Sequence, residues 1–160
     1  MAANIISDLN GTVTVEEVVS SQVVTVGIPG PQGIRGLPGP GGNSAMSSML
    51  TTDTLADGDF VNVWDSTGFK VRAADADSPD REAHGFVLVG GVAGAIVDVY
   101  FGGPNGAVSG MTPGNVYLSN VAGKATSIAP TGSGQIVQRL GVAVSATVIN
   151  VECDIPILLA

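Results

Sequence analysis

The sequence predicts an all-β, trimeric protein built from three successive parts. A short β-prone N-terminal anchor is followed by a collagen-like triple-helical stalk and then by a C-terminal antiparallel β-sandwich or barrel knob. The observations behind this are a glycine at every third position in the stalk, a valine-rich composition with few aromatic residues, and regularly spaced turn residues afterwards. The predicted parts are the anchor at 1–26, the stalk at 27–44, a transition at 45–53 and the β-domain at 54–160.

The stalk is predicted from an unbroken period of three. The glycines of this repeat are Gly27, Gly30, Gly33, Gly36, Gly39 and Gly42. Three polyproline-II strands wind into a collagen helix only when every third residue lacks a side chain, because that residue faces the crowded axis. A flexible Gly/Pro linker is the alternative, but a linker has no reason to keep its register over six triplets. We therefore expect a homotrimer with these glycines at its axis.

The stalk is short. Six triplets, at a rise of ~3.1 Å per residue, span at most roughly 55 Å. Because such a stalk gains little from burial, we expect it to need a trimeric domain at one or both ends. The apolar C-terminal run at 155–159 would be an exposed liability in a lone chain. In a trimer it is expected to lie near the axis or on a neighbouring chain.

The N-terminal anchor is expected to contain a small strand-turn-strand unit. Asn10-Gly11 is a strong turn dipeptide, and alternating valines at 13–15 and 24–26 flank a loop at 20–22. An isolated hairpin of this size is marginal in water. It therefore needs two sibling chains or a partner for order, and the end of the stalk is a natural place for attachment. An ordered trimer cap without any partner is the alternative.

The transition after the stalk shows a weak helical signal. Met46, Met49 and Leu50 have the i, i+3, i+4 spacing of one helical face. This spacing predicts a single helical turn that closes the bottom of the stalk.

The β-domain is predicted from short strands with turns between them. Ser66-Thr67-Gly68 is expected to form the first hairpin turn, the Gly-rich run 102–106 is expected to be another turn, and no stretch has convincing helical periodicity. The predicted strands lie near 59–65, 69–73, 84–90, 95–101, 106–109, 115–119, 124–128, 135–144 and 147–154.

Charge and hydropathy exclude several classes of function. The net charge is −8, and the six basic residues are spread singly, so we expect no binding to nucleic acid or to an anionic membrane. No apolar run is long enough to span a bilayer, and the N-terminus lacks the pattern of a secretory signal, so we expect neither. Cys153 is the single cysteine. A reactive or interchain thiol is one interpretation, but a small buried residue in a strand at 151–155 is favoured.

No catalytic constellation is found, so we predict a protein that is not an enzyme and has no cofactor. Seven of the fourteen carboxylates lie between residues 57 and 82, most of them in the stretches 57–59 and 75–82. Oxygen ligands for Ca²⁺ are one interpretation, but the spacing does not match an EF-hand and solvated turns are favoured. His84 is the sole histidine, so a zinc site within one chain is not expected; three copies around an axis are the remaining way to a metal site.

Two stretches carry a resemblance to a known family. The first is the β-prone entry into the repeat at 23–33. The second is C-terminal and consists of the run Gly110-Met-Thr-Pro-Gly-Asn-Val-Tyr-Leu-Ser119 followed by the run at 129–143. Together they resemble collagen-like structural proteins of tailed bacteriophages, namely head-decoration, head-fibre and tail-fibre proteins. The resemblance implies a trimer fixed to the virion by residues 1–26, with the C-terminal β-domain projecting outward. It implies no catalytic residues.

The resulting hypothesis is a homotrimeric capsid-decoration or head-fibre protein on the capsid surface of the virion, with the major capsid protein as its partner. The candidate attachment residues are the apolar ones of the anchor: Ile5, Ile6, Leu9, Val13, Val15, Val18 and Val19. The alternative is a tail-fibre adhesin that binds a host receptor or a host-surface glycan through Trp64, Tyr100 or Tyr117. A collagen-like bacterial surface protein conflicts with the missing secretion signal.

Overall fold

The computed structural model describes two short backbone segments, 4–7 and 13–16, and all residues of 45–65 and 67–160. The predicted stalk at 27–44, with its six axial glycines, lies outside the described residues. The chain divides into two compact units, 1–35 and 36–160.

The first unit contains an antiparallel β-hairpin. Strand β1 (Asn4–Ser7) pairs with β2 (Val13–Glu16). The strand predicted at 13–15 is therefore confirmed, and the Asn10-Gly11 dipeptide lies between the paired strands, where such a dipeptide favours a hairpin. The partner of β2 is the upstream segment β1. The predicted second strand at 24–26 lies outside the described part of the chain.

The second unit is built from strands, and no helix occurs in the described residues, so the all-β prediction is confirmed. Accordingly, nothing in that part of the chain has the helical length and apolar character of a membrane span. The strands are β3 (Met46–Thr51), β4 (Phe60–Trp64), β5 (Lys70–Ala73), β6 (Gly85–Val87), β7 (Ile96–Tyr100), β8 (Gly103–Asn105), β9 (Gly114–Leu118), β10 (Ala125–Thr126), β11 (Ile136–Val137), β12 (Arg139–Ser145), β13 (Val148–Val151) and β14 (Ile157–Leu158).

Five of these strands close into a barrel in the order β3-β5-β4-β6-β7, with β7 pairing back onto β3. Four of the five pairings are antiparallel, as predicted, but β3 runs parallel to β5. The barrel interior is filled by small and medium-sized apolar side chains, which suits its narrow bore. These are Leu55, Val61, Val71, Ala73, Val87, Val97 and Val99.

The remaining strands form a five-stranded sheet, in the order β10-β9-β12-β13-β8, and a small two-stranded sheet of β11 and β14. The larger sheet covers one side of the barrel. Phe60 of β4 and Phe86 of β6 share a core with Leu118, Leu140 and Ile149 of the sheet. Because neighbouring residues alternate between faces, Val61 and Val87 fill the barrel while Phe60 and Phe86 fill the layer outside it.

The helical turn predicted near 46–50 is wrong, because this segment is strand β3. Met46 pairs with Tyr100 and Leu50 with Ile96, and Leu50 also pairs with Lys70 across the parallel side. Pairing with β7 along this segment, and with β5 at its end, satisfies backbone groups that a helical turn would have bonded internally. The barrel thus includes residues assigned to the transition.

Three further predictions differ from the structure in the second half of the chain. The Gly-rich run predicted as a turn contains strand β8, which pairs with β13, and the predicted strand at 106–109 is irregular. The predicted strand at 135–144 is divided into β11 and β12 at Gln138. Strand β14, which pairs with β11, was not predicted.

Candidate functional site

The candidate attachment residues are divided between described and undescribed parts of the chain. Four of them lie in the N-terminal hairpin, where Ile5 is paired with Val15, Ile6 with Thr14, and Ser7 with Val13. Leu9, Val18 and Val19 lie outside the described residues. The structure therefore pairs Ile5 with Val15 on adjacent strands, and attachment through these residues stays a prediction.

The C-terminal run of the second unit exposes large apolar side chains. Strand β14 pairs with β11 through Ile157 and Leu158, which are more than half exposed, and Ile155 just before it is 88% exposed. Exposed apolar side chains that are contiguous in sequence commonly mark a contact surface. The predicted contact with a neighbouring chain remains a prediction.

A second exposed apolar surface lies on the barrel wall. Met46 and Leu50 on β3, and Ile96 on β7, are turned away from the barrel interior and are exposed. Met49 and Val97, one position along on the same two strands, belong to the interior instead. Sequence reasoning missed this surface because it assigned residues 46–50 to a helical turn.

Trp64 is held at the end of strand β4 with part of its indole open to solvent. Its side chain is 38% exposed. The indole Nε1–H donates a hydrogen bond of 3.3 Å to Thr52 Oγ1, and the guanidinium carbon of Arg72 lies 4.9 Å from the ring centroid. This cation–π contact and the hydrogen bond orient the indole.

Arg72 is itself fixed by a polar network. Its Nε–H donates to Asn62 Oδ1 at 3.0 Å, and its terminal nitrogen donates to the backbone oxygen of Asp80 at 2.7 Å and to the Asp80 carboxylate at 3.1 Å. The hydrogen bond from Arg72 lowers the pKa of the Asp80 carboxyl. The arrangement presents a rigid indole beside a paired cation and anion, which is suited to contact with a polar ligand that has one apolar face.

The hairpin tip beside Trp64 adds charge and another aromatic ring. Asp65 has a positive φ of 83°, and its carboxylate accepts hydrogen bonds from Thr67 and pairs with Lys70 at 2.9 Å. The bond from the backbone N–H of Thr67, followed by the bond from Lys70, lowers the pKa of Asp65 to about 2. Phe69, at the same tip, is 76% exposed. Sequence reasoning identified Trp64 but neither Phe69 nor Arg72.

The other two aromatic candidates are less accessible. Tyr100 stacks on Phe86 with ring centroids 5.6 Å apart and packs against the core between barrel and sheet. Tyr117 is half-buried in strand β9, between Thr126 and Arg139 of the adjoining strands. Trp64 is therefore the candidate that the structure leaves best placed for a ligand.

The acidic residues serve local structure. Asp59 is buried and pairs with Lys124, and its other oxygen accepts a hydrogen bond from the backbone of Ala56. Asp75 accepts from the backbone of Asp77, whose carboxylate in turn accepts from Gln135. No cluster of three or more metal-ligating side chains occurs among the described residues. The favoured interpretation of these acids as turn-forming residues agrees with their hydrogen bonds.

His84 and Cys153 are also engaged in the fold. The Nδ1 atom of His84 accepts a hydrogen bond of 2.9 Å from the backbone of Val63, and its Nε2 lies 3.3 Å from Glu82. Cys153 follows strand β13 rather than lying within a strand, and it packs against the core. Burial, followed by the charge of Asp154, raises the pKa of the Cys153 thiol to about 11, which keeps it protonated and unreactive.

Comparisons with known proteins add no family to this description. No family model, no curated protein and no solved structure matches the chain. The resemblance to collagen-like phage structural proteins therefore depends only on the motifs at 23–33, 110–119 and 129–143, and the function that it implies is a proposal.

Proposed function

We propose that the chain is a non-enzymatic virion structural protein: a homotrimeric capsid-decoration or head-fibre protein of a tailed bacteriophage. Its N-terminal segment docks on the major capsid protein, and its β-domain projects outward from the capsid surface. The single observation that carries this proposal is the strict glycine repeat from Gly27 to Gly42, between a β-hairpin and an all-β domain. A collagen-like segment between two β units would join them as a trimeric spacer.

The exposed apolar surfaces of the second unit support a trimer. Ile155 and Ile96 are mostly exposed in the single chain. Covering apolar surface contributes roughly 25 cal/mol per Å², and the same surface is covered three times in a trimer. Association of three chains therefore gains the free energy of covering apolar surface that a single chain leaves exposed to water.

The size of the N-terminal hairpin supports docking at that end. Strands β1 and β2 have four residues each, and a lone two-stranded hairpin is marginal in water. Contact with the capsid, through residues such as Ile5 and Val15, would supply the burial that the hairpin lacks. The structural roles of His84 and Cys153 support a function other than catalysis.

Immunogold electron microscopy tests the proposal. Serum raised against the protein is applied to particles of the tailed phage that encodes it. Gold spread over the head is the expected result. Gold confined to the tail would overturn the capsid assignment in favour of the adhesin, and unlabelled particles would overturn the virion assignment.

The docking end is tested by capsid co-sedimentation with matched variants of the hairpin. Ile5→Asp is expected to abolish binding because it places a charge in the proposed apolar contact, while Thr14→Asp on the neighbouring strand is expected to retain it. Both variants should keep the native mass of a trimer. Equal binding by the two variants would argue against docking through Ile5.

A tail-fibre adhesin is the second candidate function, and the geometry of Trp64 favours it. The indole is partly exposed and is held in place by Thr52 and Arg72. Since Trp64 is the only tryptophan, its fluorescence reports on this site alone. Saturable quenching by host-surface glycan that is lost in Arg72→Ala would support the adhesin, and unchanged fluorescence would count against it.

A further inference from the structure

We propose that the outer face of strands β3 and β7 is the surface through which the β-domains of three copies of this chain contact one another. We call it the β3–β7 face, and its exposed residues are Met46, Ser48, Leu50, Ile96 and Asp98. The inference rests on the trimer in the proposed function and goes beyond it by assigning the interface. The occupant of the face is a second copy of the same face or of its immediate surroundings.

Chain connectivity limits how far the start of this face can lie from the proposed trimer axis. The last glycine of the repeat is Gly42, and strand β3 begins at Met46. Four residue steps span at most about 14 Å of extended chain. If three chains meet at Gly42, their β3 strands all begin within that reach of the common axis. No other strand of the β-domain is tied so closely to the repeat.

The order of the barrel strands leaves this face uncovered by its own chain. In the ring β3-β5-β4-β6-β7, the position opposite β3 falls between β4 and β6. That opposite side is where Phe60 and Phe86 pack under the five-stranded sheet. The sheet therefore covers the far side of the barrel. In the single chain the outer face of β3 and of the first part of β7 is left to solvent, while Tyr100 at the end of β7 packs against the core.

The composition of the face suits an interface. Ile96 is 74% exposed and Met46 is 53% exposed, and Leu50 lies directly across from Ile96. The Ser48 hydroxyl, between the two exposed apolar residues of β3, donates a hydrogen bond of 2.7 Å to Asp98 on β7. A carboxylate with such a donor is tolerated in a contact surface more readily than an unpaired one.

The pairing of β3 bears on the kind of contact. Strand β7 pairs with five residues of β3, and β5 pairs with its last two, Leu50 and Thr51. The contact that we infer is made by the outward-facing side chains of β3 and β7. A groove of about 180 Å³ beside the face, lined in part by Val89, Ile96 and Tyr100, can receive an apolar side chain from the next copy.

The test measures distances between copies of one residue in the full chain. A nitroxide is attached at Ser48→Cys or, as the control, at Asn150→Cys on the outer face of the sheet, both in a Cys153→Ser background. Native mass is measured first, and double electron–electron resonance then gives the separation between labels. Stacked sheets lie ~10 Å apart, so Asn150 should lie farther from the three-fold axis than Ser48 by about that distance or more. Two copies of a residue around a three-fold axis are separated by about 1.7 times its distance from that axis. The Ser48 labels should therefore be closer than the Asn150 labels by more than about 15 Å.

Each outcome is decisive. A trimer whose Ser48 labels are the closer set supports the inference, as does a trimer that only the Ser48 label breaks. A trimer with Ser48 labels as far apart as the Asn150 labels, or farther, overturns the interface but leaves the trimer and the proposed function standing. A monomer for the unlabelled protein overturns both.

Charge insertion provides an independent test by dilution. Ile96→Glu is compared with Val144→Glu on strand β12. Both side chains are exposed in the single chain, so neither change should impair the folding of a monomer. Ile96→Glu is expected to raise the concentration at which the trimer dissociates by at least roughly tenfold, one such factor being ~1.4 kcal/mol. Val144→Glu is expected to leave it unchanged. Equal behaviour of the two variants would overturn the assignment.

Discussion

Gln138 shows how one buried polar side chain joins separate parts of the β-domain. Its Oε1 accepts a hydrogen bond of 2.7 Å from the backbone of Ala83, and its Nε2–H donates to the backbone oxygens of Ala83 and Asp154. The side chain is almost completely buried, so water cannot replace these bonds. It thereby satisfies backbone groups that no strand pairing reaches.

Replacing Gln138 by leucine is expected to destabilise the protein by on the order of 3 kcal/mol, because it leaves two buried backbone groups of Ala83 and the partly buried carbonyl of Asp154 without partners. Urea denaturation measures the loss. Gln135→Leu is the matched control: Gln135 bonds Gly132 and Asp77 at the surface, and its loss should cost less than about 1 kcal/mol. Similar losses in both variants would refute the role given to Gln138.

Cys153 is expected to react slowly with a disulfide reagent such as dithionitrobenzoate at pH 8. The raised pKa leaves the thiol protonated there, and only the thiolate attacks. Relative to the protein unfolded in guanidinium, the rate should be lower by roughly 100-fold. It should rise as the pH approaches 11. A native rate equal to the unfolded one would show that the thiol is open and ionised.

At the scale of single residues, the interpretation of Cys153 as a packed residue rather than a reactive thiol agrees with its position against the core. The burial of Gln138 was not foreseeable, because a glutamine inside an apolar run reads as the polar side of a strand. Its partners Ala83 and Asp154 are distant in sequence and meet it only in the fold.

At the scale of elements, strand β12 is shaped by Gly141. The register between β12 and β9 shifts between Arg139 and Gly141. Gly141 has a φ of 142°, and a Cβ at this position would overlap the backbone oxygen of Asn150 on β13. Glycine is therefore required both for the backbone conformation and for the close approach of the two strands.

Gly141→Ala is expected to destabilise the β-domain by about 3 kcal/mol, because β12 and β13 must separate to admit the methyl group. Gly94→Ala is the control. Gly94 also has a positive φ, of 86°, but nothing lies near its missing Cβ, so its cost should be only the ~1 kcal/mol of backbone strain. Thermal unfolding followed by circular dichroism compares them. An equal loss would attribute the whole effect at Gly141 to backbone conformation.

Strand existence was predictable from period-two patterns in the long elements. Strands β4, β5, β7 and β9 fall within about a residue of their predicted spans. Strand β3 was not predicted because a six-residue segment with three large apolar residues fits both periods. Its partners at 96–100 and 70–71 decide in favour of a strand.

At the scale of the whole molecule, the glycine repeat predicts that the stalk stabilises a trimer. In the proposed triple helix, Gly33→Val would place a side chain at the crowded axis, so it is expected to lower stability. Gln32→Val, one residue earlier, would change a position that faces away from that axis and serves as the control. Thermal melting and native mass compare the variants with the parent, whose proposed trimer would have a mass of three times 15.9 kDa, about 48 kDa.

The β-domain should remain folded in both variants, since its core is formed within residues 45–160. A lower melting transition for Gly33→Val alone is the expected result. Equal melting of the two variants and the parent would mean that the segment acts only as a linker.

The sequence by itself determined the all-β class, most strand positions and the period-three repeat. These depend on local patterns: glycine every third residue, alternating valines, and turn residues between them. Tertiary structure alone decided that β3 closes the barrel, that it runs parallel to β5, and that the sheet covers the side at Phe60 and Phe86. Such pairings join residues far apart in the chain, and many partners satisfy the same local pattern. Only the simultaneous burial of both faces selects one arrangement, which leaves the β3–β7 face exposed.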